Sequence, residues 1–303
     1  MRPLTYVQLF TGMALFGSAT PLSKIIAGAF PVFSASLLRM GIAVVVLAPF
    51  VLAGHRSEFA AATRKDWIVI TLIALAGMVG FTASLLFGMR LTTGVIGATV
   101  MSATPAVTAA AAVIFLGAAI TWRKGAALAL AVIGILTINL LRTPEGGSGG
   151  DAVLLGTALV VLAICFEAAY TLLSKGLSPA VSSLAATFAA SAIAVPAFIL
   201  LALIFDPRPF DYAGAGVKVW TSVAFWGAGT AGLAPVLWYN GVRRSPGVLA
   251  AGFMSVMPLT ALVLSYILLG EQFRWAHVLG FGLVFTGLVL MIREHTPSGG
   301  ECH

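Results

Sequence analysis

The sequence has very little charge. Only 9% of its 303 residues are Asp, Glu, Lys or Arg, while 60% are hydrophobic. Soluble domains carry about a quarter charged residues, so this chain cannot cover a surface that faces water. It also lacks a polar stretch long enough to form a separate soluble domain, which excludes a large catalytic head.

Chemistry-bearing motifs are scarce as well. The chain has two cysteines, Cys165 in an apolar run and Cys302 in a polar tail, and neither has the spacing of a metal ligand. It has no CxxC, HExxH or phosphate-binding glycine motif. We therefore expect no cofactor, no metal and no enzymatic activity. The 17 Lys and Arg residues are scattered between apolar runs, where they set membrane orientation, so no nucleic-acid partner is expected.

Apolar runs separated by Gly, Pro and charged residues predict an all-α polytopic membrane protein with ten transmembrane helices. A spanning helix needs about 20 apolar residues. The first run loosely resembles a signal peptide, but Pro21, Ser23 and Lys24 interrupt it, so we expect an uncleaved span. The predicted spans are residues 5–27, 32–53, 67–88, 94–116, 124–142, 153–174, 181–205, 218–240, 247–269 and 275–292.

The second half of the chain repeats the first at an offset of 153 residues. This offset superposes Trp67 on Trp220, Arg90 on Arg243, Met101-Ser102 on Met254-Ser255, Pro105 on Pro258, and Gly134 on Gly287. We predict a first five-helix repeat in residues 1–143, a linker in 144–152, a second repeat in 153–294 and a disordered tail in 295–303. Because five is odd, the two repeats have inverted topology, as in many secondary transporters. A duplicated membrane scaffold without transport is the alternative.

The distribution of basic residues predicts the orientation. With the N-terminus inside, ten Lys and Arg residues fall on the cytoplasmic side and six on the other. Cytoplasmic loops carry the excess of Lys and Arg, so both termini are expected in the cytoplasm of a bacterial-type inner membrane.

Two ionisable residues lie well inside predicted spans, Arg39 in the second and Glu167 in the sixth. A charge at the bilayer centre costs about 2.5–3.5 kcal/mol on insertion scales, so such residues pair, neutralise or face a cavity. Glu167 can pair with Arg39 or another cation, bind substrate or a coupling proton, or stay protonated and hydrogen-bonded. Arg39 can be structural or functional. Lys24, late in the first span, is a third candidate for ion pairing or coupling.

Glu167 belongs to a polar stripe on one helix face. Glu167, Tyr170 and Thr171 recur at i, i+3 and i+4, and the first half presents Phe16 and Thr20 on the matching stripe. An acid in one half opposite an aromatic ring in the other suits a polar, zwitterionic solute. Hydrogen bonding between helices is the alternative.

Pro105 and Pro258 occupy equivalent points midway along the fourth and ninth spans. Each removes one amide donor and leaves the carbonyl of Met101 or Met254 without its helical partner. Broken helices at mirrored positions indicate a transporter's binding site, although plain kinks are the alternative. Further substrate-binding candidates surround them, each of which is alone more often a core residue: Ser84, Met101, Ser102, Trp238, Tyr239, Asn240, Met254, Ser255 and Met257.

Over its whole length the chain resembles the EamA-type ten-span exporters of the drug/metabolite transporter superfamily. The resemblance rests on Phe16-Gly17 followed by Lys24, on Arg39, and on the block from Gly247 through Pro258 to Glu271. The first half departs from the pattern with Ala118 where Glu271 would match. Within the superfamily the chain is most similar to the bacterial aromatic amino-acid exporters. This resemblance implies a central cavity lined by spans one, three, four, six, eight and nine, and export from the cytoplasm.

These observations predict an inner-membrane transporter that exports amino acids, aromatic and other neutral ones, by alternating access. A broad-specificity drug or metabolite efflux carrier, or a membrane-embedded enzyme, is the alternative. The expected partners are a small-molecule substrate and the lipid bilayer, and the chain is expected to be a monomer.

Overall fold

The computed structural model describes residues 3–117, 121–140, 150–174, 176–242, 244, 253–254 and 256–294. Within these ranges the chain is helical, with no strand. Six helical segments are long and apolar enough to cross a membrane, and shorter apolar helices cover Gly125–Thr137, Val256–Leu269 and Trp275–Gly287. The six long segments are Pro3–Ala27, Val32–Gly54, Arg64–Leu91, Gly94–Phe115, Asp151–Ser174 and Ser183–Phe205. The chain is therefore a polytopic helical membrane protein.

Two of the helical segments, Arg64–Leu91 and Val217–Val242, contain a stretch of wide π-helical turns. The first half comprises α1 (Pro3–Ala27), α2 (Val32–Gly54), α3 (Arg56–Ala61), α4 (Arg64–Ile73), π1 (Ala74–Gly80), α5 (Phe81–Leu91), α6 (Gly94–Met101), α7 (Thr104–Leu116) and α8 (Trp122–Leu140). The second half comprises α9 (Gly150–Ser174), α10 (Ser183–Phe205), α11 (Val217–Phe225), π2 (Trp226–Leu233), α12 (Ala234–Val242), α13 (Val256–Leu269) and α14 (Trp275–Glu294).

Helices α2 and α10 form an antiparallel pair in which each supplies a carboxylate to the start of the other. Asp206, just after α10, accepts hydrogen bonds from the amide and the hydroxyl of Ser34 at 2.8 and 2.7 Å. Glu58, just after α2, accepts from the amide of Ser182 at 2.7 Å. Negative groups stabilise helix N-termini because the first amides there have no partner within the helix. The two caps therefore fix both ends of the pair.

The Glu58 cap is sensitive to acid. Partial burial raises the pKa of Glu58, but hydrogen bonds from His55 and Ser182 outweigh this effect and lower the pKa below its ordinary value. A group with a lowered pKa in the folded state stabilises the fold above its unfolded pKa. That contribution is lost as the pH falls through the lowered value, so the cap is intact at neutral pH.

Helices α8 and α14 also run antiparallel and pack closely through glycine. A Cβ atom at Gly134 would lie 2.5 Å from the carbonyl oxygen of Gly280, and one at Gly287 would lie 2.9 Å from that of Ala127. Gly134 and Gly287 are the residues that the 153-residue offset superposes. Small residues allow helix backbones to approach in lipid, where packing supplies much of the association energy.

In further contacts, helices of one half pack on helices of the other half. Helix α1 packs on α12, where Leu9 fills the space beside Gly241, and α9 packs on α5, where Val160 fills the space beside Gly88. Helix α1 also packs on α13, and α9 on α6 and α7. Helix α2 contacts π2, and α10 contacts π1. Each of these contacts made by α1 or α2 thus has a counterpart made by α9 or α10.

The fourth predicted span is broken, but not at the proline. Helix α6 ends at Met101 and α7 begins at Thr104, so Pro105 lies in the first turn of the new helix. Proline is tolerated there because its missing amide would have no helical partner in any case. By contrast, α1 continues through Pro21 without interruption. Pro235 lies in the first turn of α12, directly after π2.

We expect Gly134→Ala to lower the free energy of unfolding by about 1–3 kcal/mol, the usual cost of overpacking. The reason is that the new methyl group meets a backbone oxygen, which cannot move aside as a flexible side chain can. The thermal unfolding midpoint of the purified protein in detergent measures the effect.

Gly125→Ala in the same helix is the control, because a Cβ atom at Gly125 meets nothing within 4 Å. It should leave the midpoint unchanged or raise it, since alanine favours helices by up to about 1 kcal/mol over glycine. Equal midpoints for the two variants would contradict the close packing of α8 on α14.

Candidate functional site

Arg39 occupies the centre of the structure and is held on three sides. Its side chain, in α2, is only 9% exposed. The Nη1 atom donates a hydrogen bond to Thr82 Oγ1 at 2.9 Å. The guanidinium carbon lies 4.5 Å from the ring centroid of Trp226 and 5.9 Å from that of Phe81, as in cation–π contacts. Its Nε atom is buried and has no hydrogen-bond partner.

The π-helical segments bring these aromatic rings to Arg39. Trp226 is the first residue of π2, and Phe81 directly follows π1. Glycine allows π2 to approach α2, because a Cβ atom at Gly227 would lie 2.7 Å from Ile42. π-helical turns are rare and often occur at functional sites. The two segments thus build an aromatic enclosure around a buried cation.

Glu167 lies across from Arg39 without touching it. Its Oε2 atom is 3.1 Å from the hydroxyl oxygen of Thr104. The side chain of Glu167 is partly exposed. Arg39 and Glu167 interact electrostatically, but they form no ion pair within 4.0 Å. Arg39 and Glu167 therefore attract each other over a distance, but they do not form the direct ion pair that was the first alternative for Glu167.

Lys24 lies in a separate cluster at the end of α1. Its Nζ atom donates to the carbonyl oxygens of Met89 and Thr92 at 2.7 and 2.5 Å. Glu271 interacts electrostatically with Lys24 and accepts hydrogen bonds from the amides of Gly94 and Val95 at the start of α6. Burial raises the pKa of Glu271 above its ordinary value, although both amides favour the charged form. Lys24 and Glu271 thus fasten helix ends together.

The side chains of the polar stripe on α9 make contacts both within α9 and with other helices. The hydroxyl of Thr171 donates to the carbonyl of Glu167 at 2.9 Å, within its own helix. Tyr170 packs beside Gly77 of π1, where a Cβ atom would lie 2.9 Å from its ring. At the level of the α6–α7 break, the carboxyl group of Glu167 reaches across to the hydroxyl of Thr104 on another helix.

The other candidates are spread over several environments. Met101 lies in the main core, Ser102 donates to the carbonyl of Thr99, and Thr20 packs beside Gly97. Trp238 packs its backbone on Gly12, and the carbonyl of Met257 abuts Gly17. Ser84 and Pro258 are buried, Phe16, Pro105 and Asn240 are partly exposed, and Met254 is 40% exposed. The side chain of Tyr239 and all of Ser255 lie outside the described residues.

Four residues at the centre were not predicted from the sequence: Phe81, Thr82, Thr104 and Trp226. Trp226 carried a usable signal, because it lies inside its span, whereas Trp67, Trp122, Trp220 and Trp275 each open one. Thr104 precedes Pro105 and follows Met101 by three residues, so its hydroxyl can reach the carbonyl that Pro105 leaves without an amide. Nothing in the local sequence distinguishes Phe81 or Thr82.

One surface groove lies apart from these groups. Arg64, Trp67, Ile68, Thr71 and Leu72 line it on the outer face of α4. It contains none of the candidate residues, and its apolar, outward-facing wall suits contact with lipid.

Comparison with known proteins agrees with this architecture. The model of the EamA-like transporter family matches the chain twice, over residues 3–140 and 154–293. The uncharacterized transporter YetK of Bacillus subtilis is 33% identical, with 97% of this chain and 88% of the relative covered. The uncharacterized transporter YyaM of the same organism is 25% identical, with 95% and 94% covered. A protein of known crystal structure, 20% identical, has a TM-score of 0.65 and covers 98% of this chain.

The long apolar helices and the family match together define a multi-span membrane protein of transporter type. The chain belongs to the EamA-like transporter family.

We expect Thr82→Val to lower the free energy of unfolding by about 1–3 kcal/mol, because it leaves the buried Arg39 without its hydrogen-bond acceptor. Thr187→Val is the matched control, since the hydroxyl of Thr187 bonds only to the carbonyl of Ser183 in its own helix. Thermal unfolding in detergent compares the two variants. A loss no greater for Thr82→Val than for Thr187→Val would mean that Thr82 does not hold Arg39.

Proposed function

We propose that the chain forms ten transmembrane helices in two inverted repeats, residues 1–143 and 153–294, joined by a linker in 144–152. Three observations support this arrangement. The family model matches each half separately. The segments π1 and π2 occupy positions that the 153-residue offset superposes. The contacts of α1 and α2 with the second half also have counterparts in those of α9 and α10 with the first half. An odd number of spans per repeat makes the second repeat enter the membrane from the opposite side.

We propose alternating access as the mechanism. Two repeats of similar structure can exchange conformations, which supplies inward-open and outward-open states of similar energy. In each of the pairs α2–α10 and α8–α14, two helices at equivalent places in the two halves contact each other. A pseudo-two-fold axis would therefore pass between the members of each pair. Movement of one repeat against the other would expose Glu167 to either face of the membrane in turn.

We propose that the solute is a neutral amino acid, with aromatic ones among the substrates. The single observation that carries this proposal is the separation of Arg39 from Glu167: the buried cation and the partly exposed acid interact electrostatically but make no direct ion pair. A zwitterion presents a carboxylate to a guanidinium and an ammonium to a carboxylate. Phe81 and Trp226 flank Arg39 with rings that favour apolar and aromatic side chains.

The direction and location of transport follow from the family resemblance and the positive-inside rule. We propose export from the cytoplasm across a bacterial inner membrane by a monomer whose two termini are cytoplasmic. The carboxylate caps are compatible with this orientation. Glu58 and Ser182 would share the cytoplasmic face, and Asp206 and Ser34 the opposite face, as their hydrogen bonds require.

Labelling of single cysteines tests the inverted topology. We expect an impermeant maleimide to label Arg208→Cys but not Arg64→Cys in intact cells, in a background where Cys165 and Cys302 are replaced by Ser. Five spans separate the two exposed positions, so they should lie on opposite sides of the membrane. Permeabilised cells, in which both should react, provide the control. Labelling of both positions in intact cells would exclude the inverted arrangement.

Flux in liposomes tests the substrate. We expect purified protein to move labelled Trp, Phe, Thr and Met. Arg39→Gln and Glu167→Gln should each lower this flux by about 30-fold or more, because each leaves one end of the zwitterion unpaired in a buried site. Glu58→Gln, an acid-to-amide change outside the spans, is the control and should keep the flux. Transport of a cationic drug but no amino acid would favour the efflux alternative.

A further inference from the structure

The hydroxyl of Thr104 lies between two acceptors. Its oxygen is 2.8 Å from the carbonyl oxygen of Met101 and 3.1 Å from Oε2 of Glu167. Thr104 opens α7 at the break in the fourth span, and its side chain is buried. It therefore connects the backbone of this break with the carboxyl group on α9.

A threonine hydroxyl has only one hydrogen to donate. The carbonyl of Met101 accepts hydrogen bonds and cannot donate one. Both contacts can be full, unshared hydrogen bonds only if Glu167 is protonated, so that it donates to Thr104 while Thr104 donates to Met101. When Glu167 is ionised, it competes with the Met101 carbonyl for the single hydrogen.

The Met101 carbonyl has a particular need for this donor. Met101 is the last residue of α6, so its carbonyl has no amide partner within its own helix, and Pro105, four residues later, has no amide hydrogen to offer it from α7. Water is absent from the bilayer core, so an unpaired carbonyl there is costly and favours a rearrangement of the backbone. The hydroxyl of Thr104 supplies the missing hydrogen bond.

We propose that Thr104 is a positioning residue that couples the protonation of Glu167 to the conformation of the break between α6 and α7. Protonated Glu167 leaves the Thr104 hydroxyl with Met101 and keeps the break ordered. Ionised Glu167 takes the hydroxyl and releases the Met101 carbonyl. This coupling rests on the proposed carrier function, in which the broken helix borders the solute path, and it gives the proton a defined structural effect.

Few other charges act on Glu167. From α2, Arg39 faces it and interacts with it electrostatically. The charged residues of the elements that pack on α9 lie at helix ends, where Asp66 is held by Thr63 and Ser178, and Arg90 by the carbonyls of Ala27 and Phe30. The charged residues of the helices that pack on α9 are thus Arg64, Lys65 and Asp66 at the start of α4, and Arg90 at the end of α5.

The other half has an apolar version of the same junction. The repeat places Met257 at the position of Thr104, and Phe16 at the position of Glu167. Here the backbone amide of Met257 donates to the carbonyl of Met254 at 3.4 Å, where the first half uses the hydroxyl of Thr104. Only the first half's break is therefore expected to respond to protons.

Hydrogen exchange of the full chain in lipid nanodiscs, without any solute, tests the coupling. We expect peptides that cover residues 98–108 to lose protection by about tenfold as the pH rises from about 5 to about 9, after correction for the intrinsic exchange rate. Glu167→Gln, whose amide also donates to Thr104, should keep the high protection at every pH. Thr104→Val should show low protection at every pH.

Two further variants complete the design. Thr104→Ser keeps the hydroxyl and should keep the pH response. Thr99→Val removes a buried hydroxyl that bonds only to the carbonyl of Val95, and should keep it as well. A pH-independent wild type, or a pH response that persists in Glu167→Gln or in folded Thr104→Val, would overturn the proposal. Because no solute is present, a negative flux result leaves this test unaffected.

Discussion

The structure depends on one constraint: in the bilayer core, every buried charge and backbone polar group needs a partner from the protein itself. The helix ends meet this requirement across the interfaces. Asp206 and Glu58 cap opposite ends of the α2–α10 pair, Glu271 caps α6, and Lys24 pairs with carbonyls at the end of α5. The same carboxylate and ammonium groups that terminate individual helices therefore also decide which helices are neighbours.

The centre of the protein meets this constraint only in part. Arg39 has an aromatic enclosure and one hydroxyl, while its Nε atom is without a partner, and Glu167 shares one hydroxyl with a backbone carbonyl. Unsatisfied or shared polar groups are costly in a packed interior, and they often occur where a protein binds or moves. The well-capped helix ends thus differ from the incompletely paired centre, which is the part that we propose binds the solute.

Much of this architecture was predictable from local sequence, and specific parts were not. The membrane class and the helical segments follow from apolar run length. The break in the fourth span was predicted from Pro105 but lies at residues 102–103, because proline fits the first turn of a new helix. The wide turns of π1 and π2 were not predicted. Their glycines were visible, but the requirement for them comes from Tyr170 and Ile42, which are distant in sequence.

By itself, the sequence determined that the chain is embedded in a lipid bilayer and that its basic residues are distributed unequally between alternate loops. It also determined that Arg39 and Glu167 are the charged residues well inside the predicted spans. Those properties depend on composition and on positions along the chain. Only the tertiary structure decided that Arg39 stacks on Trp226 and that Thr104 lies between Met101 and Glu167. Such contacts join residues from different helices, and their distances are set by how closely glycine and other small residues let those helices approach.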